Sequence, residues 1–232
     1  MLNGQTISVI IPAFNEERAI ENVITAIPDL VDQVIVADNN SSDRTAAIST
    51  ALGATVVSAS KQGYGSACLA GIAYLEQGKQ PDILVFLDGD FADDPSYLPA
   101  LVAPIANGTV DMVIGSRKAK AIKGSLTFTQ KFGNWLSCFL IKLIWRKTYT
   151  DLGPFRAIRW SALEKLSMKD PDYGWTVEMQ IKAAKLGLET DEIDVPYIQR
   201  IGTSKISGTL KGTVLAGSKI LYLIAHSAVF KS

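Results

Sequence analysis

Asp88-Gly89-Asp90 closes the apolar run Ile83-Leu84-Val85-Phe86-Leu87. A run of that length without polar alternation reads as a strand buried on both faces. Residues i and i+2 of an extended chain project to one side, so the two carboxylates face a common point just past the strand end. Gly89 between them lets a ligand approach the backbone. Two hard oxygen ligands with the rest of the coordination open suit Mg²⁺ or Mn²⁺ carrying a diphosphate. A second charged feature is the stretch 199–219, which holds Arg200, Lys205, Lys211 and Lys219 without an acid. A basic segment rich in glycine and serine is what a metal-diphosphate ligand would require on its other side.

The elements that must position these residues alternate between strand and helix. Strand patterns cover 8–11, 33–37, 54–58, 83–87 and 112–114, and helical patterns cover 18–27, 44–52 and a stretch that follows Gly63-Tyr64-Gly65-Ser66 and runs to about 76. Such alternation predicts an α/β fold with a mostly parallel, doubly wound (Rossmann-like) sheet flanked by helices. Ligands gather at the carboxyl ends of strands in sheets of this kind, and Pro12, Asp38, Asp88 and Asp90 all fall there. Gly63-Tyr64-Gly65 reads as a tight turn into a helix. In the second half, helices are expected over 132–145, 175–185 and 214–225, with short strands over 155–158 and 192–197. One domain over 1–232 is expected, 1–115 its regularly alternating half and 116–232 its less regular half.

With 23 Lys+Arg against 23 Asp+Glu, the chain has no global field to attract nucleic acid. Cys68 and Cys138 form no metal or disulfide pattern, which suits a reducing, cytoplasmic location. No run of about 20 apolar residues suggests a membrane span. The apolar stretches 132–145 and 214–230 each fit an amphipathic helix on a bilayer or a core helix, and the core reading is preferred here.

Three segments together resemble family 2 glycosyltransferases. They are Ile10-Ile11-Pro12-Ala13-Phe14-Asn15-Glu16, Ala37-Asp38-Asn39-Asn40-Ser41-Ser42-Asp43-Arg44-Thr45 and Asp88-Gly89-Asp90. Gly115-Ser116-Arg117, Asp151-Leu152-Gly153-Pro154-Phe155-Arg156 and Arg200-Ile201-Gly202-Thr203-Ser204-Lys205 are similar to the dolichyl-phosphate mannose synthase and polyprenyl-phosphate glucosyltransferase branch. The resemblance implies a GT-A fold, a nucleotide-diphosphate sugar donor and Mg²⁺ or Mn²⁺. It implies that Pro12, Asn15 and Glu16 hold the nucleoside from the first strand-to-helix loop. Asp38 would accept a hydrogen bond from the base imino N–H, favouring uracil or guanine. Asp88 and Gly89 would face the ribose and the metal site. Asp90 would ligate the metal, with Asp93 as a third ligand although its spacing departs from the family pattern. Arg117, Arg200, Ser204 and Lys205 would hold donor or acceptor phosphates.

The resemblance favours UDP-glucose ahead of GDP-mannose, with a polyprenyl or dolichyl phosphate as acceptor and peripheral membrane contact. The rival acceptor is a hydroxyl on a glycan or small molecule. A hydroxyl needs a general base, for which Asp151 and Glu178 are the candidates, or else both cap loops and pair with Arg156 or Arg159. Where mannose synthases carry an arginine-rich helix, the chain has Thr127-Phe128-Thr129-Gln130-Lys131-Phe132-Gly133-Asn134, with fewer cations for a phosphate. A sugar-phosphate nucleotidyltransferase would need a basic, glycine-rich loop after the first strand. Pro12-Ala13-Phe14-Asn15-Glu16 stands there instead.

Overall fold

The computed structural model describes residues 1–122, 124–202 and 210–229. Its centre is a seven-stranded sheet in the order β3-β2-β1-β4-β6-β5-β7. The strands are β1 (Ile7–Ala13), β2 (Gln33–Asp38), β3 (Thr55–Ser58), β4 (Ile83–Phe86), β5 (Met112–Ser116), β6 (Arg156–Arg159) and β7 (Thr190–Asp194). Every neighbouring pair is parallel except those made by β6, which runs antiparallel to both β4 and β5. The mostly parallel sheet expected from the strand–helix alternation is therefore present, with one reversed strand inside it.

Strand periodicity divides the core into two layers. Ile10, Leu84, Phe86, Met112 and Ile114 pack on one face of the sheet. Val9, Ile11, Val85, Val113 and Ala157 pack on the other. This is the two-residue alternation of a sheet covered on both sides, and it explains why the strands read as unbroken apolar runs.

The helices are α1 (Ile20–Thr25), α2 (Thr45–Ala51), α3 (Tyr64–Gln77), α4 (Leu98–Ala106), α5 (Phe128–Trp145), α6 (Trp160–Leu166), α7 (Trp175–Leu186) and α8 (Leu210–Val229). The sequence pattern marks neither α4 nor α6. Pro99 and Pro104 mask α4, whose Leu98, Leu101, Val102 and Ile105 are nonetheless buried on one face. Helix α5 begins four residues before its expected start. Thr127 and Gln130 form a reciprocal capping box there, satisfying the orphan backbone donors.

Two boundaries bear on the site. β1 continues through Pro12, which pairs in register with Ala37, so Pro12 is a strand residue and not a loop residue. Pro12 shares the parity of Ile10, whose carbonyl accepts the Leu87 N–H at 3.1 Å, so its missing donor faces β4 only beyond the end of that strand. β7 stops at Asp194, two residues before Pro196, whereas a strand is expected through 197. The segment after it becomes a separate arm that reaches the site.

α5 and α8 depart from the core-helix reading. Only Ser137, Cys138 and Ile141 of α5 are buried. Phe128, Trp135 and Leu143 are 84%, 58% and 66% exposed, and Tyr222 of α8 is 60% exposed. α5 packs against α7 and α8 and joins the core layer on the sheet through Cys138 and Ile141, while Phe128, Trp135 and Leu143 stay on its exposed side.

The N-terminus of α3 is fitted against the loop that precedes α7. The Ser66 N–H donates to the Pro171 carbonyl at 2.7 Å, and a Cβ on Gly65 would overlap the Asp170 carbonyl oxygen. Both obstructing groups are backbone, so they cannot swing away. Gly65→Ala should destabilise the fold by about 1–3 kcal/mol through overpacking. A calorimetric melt unchanged from wild type would contradict this fit.

Candidate active site

The carboxyl ends of β1, β2 and β4 deliver the first half of the site. β2 ends on Asp38, 8% exposed, whose Oδ2 accepts the Ser41 N–H at 3.2 Å. Its Oδ1 is buried and has no hydrogen-bond partner among the described residues. A buried carboxylate oxygen without a donor calls for an N–H from a ligand, which fits a base imino group. Asn39 beside it donates to the Lys61 carbonyl at 2.7 Å and accepts the Gly63 N–H at 2.8 Å, tying β2 to the start of α3.

Asn15 adopts a left-handed conformation (φ 55°), and its N–H donates to the Ser41 hydroxyl at 2.9 Å. Its Oδ1 accepts the Ser42 N–H at 2.8 Å, and the Glu16 N–H donates to Thr45 Oγ1 at 2.8 Å. Asn15 thus braces the loop after β2. Pro12, Glu16, Asp88, Gly89, Asp90, Arg117 and Arg200 line a cavity of about 510 Å³, whereas Asn15 does not.

At the end of β4, Asp88 accepts the Tyr64 hydroxyl at 2.9 Å. Burial, followed by the neighbouring Asp90 charge, pushes the Asp88 carboxyl up to about 7. Asp90 is 5% exposed, and its Oδ1 accepts the Ala92 N–H at 3.0 Å. Its Oδ2 lies 2.8 Å from a guanidinium nitrogen of Arg200. Asp93 is 1% exposed, and neither of its oxygens has a hydrogen-bond partner among the described residues. Burial and the Asp88 charge raise its carboxyl well above the usual range.

These features fit a divalent cation. Asp88 and Asp90 both line the cavity, Asp88 bonded to the Tyr64 hydroxyl and Asp90 to Arg200. Among the described residues no three Asp, Glu, His or Cys side chains converge as a metal cage. Asp93 therefore does not complete one with Asp88 and Asp90, and diphosphate oxygens would have to supply the remaining ligands. Bound there, the cation would act as a Lewis acid toward the charge developing on a departing diphosphate.

The second half of the site comes from β5, β6 and β7. Because β6 is antiparallel, the residues entering it lie at the carboxyl ends of β4 and β5. Asp151 thereby meets Arg117, just past β5, in a bidentate pair. Arg117 Nε and Nη2 donate to its two oxygens at 2.7 Å each, and the Arg117 backbone N–H adds a bond of 2.8 Å. The Arg117 guanidinium also lies 5.0 Å from the Tyr197 ring centre. Burial alone would lower the Arg117 pKa, but the Asp151 partnership outweighs it and raises it.

Asp151 is thus the partner of Arg117, not of Arg156 or Arg159. Both of its oxygens are engaged, which argues for positioning rather than proton abstraction. Arg156 is fully buried and donates to the carbonyls of Leu152, Gly153 and Thr176, clamping the Asp151 loop onto α7.

Glu178 does not line the cavity either. Its carboxylate accepts the Lys169 and Asp170 N–H groups, the latter at 2.8 Å, and pairs with Lys182 at 2.8 Å. It holds the loop that carries Asp172 and Tyr173, and those two do line the cavity. Burial and the nearby Asp170 raise the Asp172 carboxyl. Asp172, Tyr64 and Tyr197 are site residues that the sequence pattern does not single out. Tyr64 alone carried a signal, being set between two glycines at a helix start. Ser204 and Lys205 lie outside the described residues.

A family model described as glycosyl transferase family 2 matches residues 8–167. An uncharacterized glycosyltransferase of Mycobacterium tuberculosis is 34% identical over 92% of the chain and 95% of its own length. The undecaprenyl-phosphate mannosyltransferase of Micrococcus luteus is 29% identical, covering 88% of both chains. Among solved structures, glucosyl-3-phosphoglycerate synthase from Mycobacterium tuberculosis, in complex with Mn²⁺, UDP and glucosyl-3-phosphoglycerate, superposes with a TM-score of 0.79. It is 26% identical and covers 99% of this chain and 82% of that one. The chain belongs to glycosyltransferase family 2 and has the GT-A fold. It is an enzyme, a hexosyltransferase.

Two outcomes follow from the charge arrangement. Asp88 keeps in the folded state a proton that the unfolded chain releases near the ordinary carboxylate pKa. The folded state therefore binds more protons between that value and about 7, and stability falls as pH rises through this window. In EDTA, Asp88→Asn should melt above wild type at pH 8, with the gap closing toward pH 4. A gap that widens on acidification would refute the assignment. Asp151→Asn leaves the Arg117 guanidinium buried without its countercharge and should cost about 3–5 kcal/mol in denaturant unfolding. A loss below about 1 kcal/mol, as for an exposed pair, would show that the pair is not desolvated.

Proposed function

We propose that the protein is a metal-dependent, inverting transferase that moves a hexose from a nucleotide-diphosphate sugar to a polyprenyl phosphate. UDP-glucose is favoured ahead of GDP-mannose. The observation that carries the acceptor is a second, larger cavity of about 890 Å³, lined by Phe132, Trp135 and Phe139 of α5 and by Ile220 and Leu221 of α8. It shares Arg117, Gln130 and Ala216 with the donor cavity. An apolar groove that ends on a buried arginine beside the donor suits a long hydrocarbon with an anionic head.

Charge distribution supports the same reading. Residues 118–150 hold seven Lys+Arg and no acid, and residues 195–232 hold five and no acid. Lys118, Lys131 and Lys142 of the first stretch line the groove. Stacked Trp135 and Phe139, 5.7 Å apart, stand exposed between these cations, as in side chains that enter a lipid interface. Among the described residues no helix is long and apolar enough to cross a membrane, so contact with lipid would be peripheral. The mannosyltransferase of Micrococcus luteus and the dolichyl-phosphate hexose transferase of Haloferax volcanii favour a lipid phosphate. The Mn²⁺ and UDP-glucose bound in glucosyl-3-phosphoglycerate synthase favour the donor and the cation.

A phosphate monoester is already anionic near neutral pH, its second pKa lying near about 6, so no base has to activate it. That agrees with Asp151 and Glu178 being fully engaged elsewhere. One observation favours the rival hydroxyl acceptor, namely Asp172 on the wall of the donor cavity with its carboxyl raised. A raised carboxyl is the kind that can take a proton.

The test is UDP and GDP release from UDP-glucose and GDP-mannose, with undecaprenyl phosphate or 3-phosphoglycerate as acceptor, in Mn²⁺ and in EDTA. Undecaprenyl phosphate should stimulate UDP release by about tenfold or more, a barrier change of roughly 1.4 kcal/mol. EDTA should abolish the release, and Asp172→Asn should keep most of it. Stimulation by 3-phosphoglycerate alone, lost in Asp172→Asn, would overturn the lipid acceptor. Release unaffected by EDTA would overturn the metal.

A further inference from the structure

We propose that Arg200 occupies the place of the divalent cation's charge on Asp90 until a nucleotide diphosphate arrives, so that metal and nucleotide enter the site as a coupled pair. This rests on the nucleotide-diphosphate reading above and adds a mechanism by which the protein discriminates against the free cation.

Arg200 is not a surface side chain that happens to touch an acid. The arm after β7 runs antiparallel to the segment after β4. The Ile198 N–H donates to the Ala92 carbonyl at 2.9 Å, and the Ile201 N–H donates to the Asp90 carbonyl at 2.9 Å. Two backbone bonds therefore fix Arg200 opposite Asp90 before any side chain is considered. Its guanidinium then reaches Asp90 Oδ2 at 2.8 Å and donates to the Tyr197 hydroxyl at 3.2 Å. Asp90 Oδ1 is committed to the Ala92 N–H, so Oδ2 is the oxygen left for Arg200 or for a cation.

Arg117 cannot substitute for Arg200, because two of its nitrogens are already on Asp151. A cation placed between Asp88 and Asp90 would lie within a few ångströms of the Arg200 charge in a poorly hydrated site, where like-charge repulsion is large. A diphosphate removes the conflict. It adds oxygen ligands for the metal and gives the planar guanidinium a pair of anionic oxygens that can accept two parallel N–H bonds in exchange for Asp90. Both Asp90 and Arg200 line the cavity that would receive it, so the exchange needs only a side-chain swing. Each partner then raises the affinity of the other, and by thermodynamic linkage the two factors are equal.

The experiment counts unbound Mn²⁺ by its EPR signal in the presence of protein, with and without UDP, and follows UDP binding calorimetrically. Wild type should hold Mn²⁺ weakly by itself and at least about tenfold more tightly with UDP. Arg200→Ala should bind Mn²⁺ alone about tenfold more tightly than wild type, and the tightening given by UDP should shrink by at least that factor. Arg200→Lys keeps the charge and should stay as weak as wild type without UDP. Asp90→Asn should lose Mn²⁺ in every state. If UDP binds wild type with Mn²⁺ but Arg200→Ala holds Mn²⁺ alone no more tightly than wild type does, the exchange is refuted and the nucleotide-sugar reading survives. If UDP does not bind wild type with Mn²⁺ present, that reading falls and this inference with it.

Discussion

Four carboxylates, those of Asp88, Asp90, Asp93 and Asp151, are gathered into one poorly hydrated region at the carboxyl edge of the sheet. Ionised acids packed this closely repel one another and lose their hydration, so each must find a cation or keep its proton. The surrounding structure divides between these two answers. Asp151 takes Arg117 in a bidentate pair, Asp90 takes Arg200, Asp88 is pushed up to about 7, and burial raises Asp93 well above the usual carboxylate range. In the function proposed above, a divalent cation would take the place of the Asp88 proton and of the arginine on Asp90, with diphosphate oxygens completing its ligands.

The reversed strand is what makes this gathering geometrically possible. In a wholly parallel sheet, the segment leading into β6 would lie at the opposite edge, far from Asp88. Running antiparallel, β6 begins beside Phe86 of β4 and Ile114 of β5, so its lead-in brings Asp151 to Arg117. The same lead-in places Arg156 in the core, where it fastens the loop to α7 through three carbonyls. With no carboxylate in contact and burial against it, its pKa falls to about 10. The strand therefore contributes little to the sheet in length and much to the site in position.

The sequence disclosed the parts of this arrangement that depend on local pattern. Apolar runs ending in acids located Asp38, Asp88 and Asp90 at strand ends, because a strand buried on both faces leaves its first polar residue at the rim. It could not disclose pairings made between distant segments. Nothing near Asp151 names Arg117, 34 residues earlier, as its partner. Glu178 reads equally as a general base or as a loop-capping, ion-paired acid, and only the fold shows that three donors occupy it. Tyr64 reads as a turn residue, and its ring reaches Asp88 only because the glycines beside it admit the backbone of the 170–172 segment. The left-handed Asn15 and the arm after Pro196 belong to the same class, being set by tertiary contacts and not by propensity.

α5 shows a different limit. Aromatic residues at helical spacing look alike whether they will face a core, a ligand or a bilayer, since periodicity records a stripe and not its partner. What separates these outcomes is which surfaces remain after the sheet has been covered. α3, α6 and α7 supply most of the packing on the face that carries Phe86 and Ile114, and α5, which adds Cys138 and Ile141 to that buried layer, leans mainly on α7 and α8. Its Phe132, Trp135 and Phe139 then border a groove that opens onto Arg117. The buried ion pair and the exposed aromatic stripe are thus two ends of one surface. Asp151 holds Arg117 at the inner end, and the proposed acceptor, with an apolar body and an anionic head, would engage both ends at once.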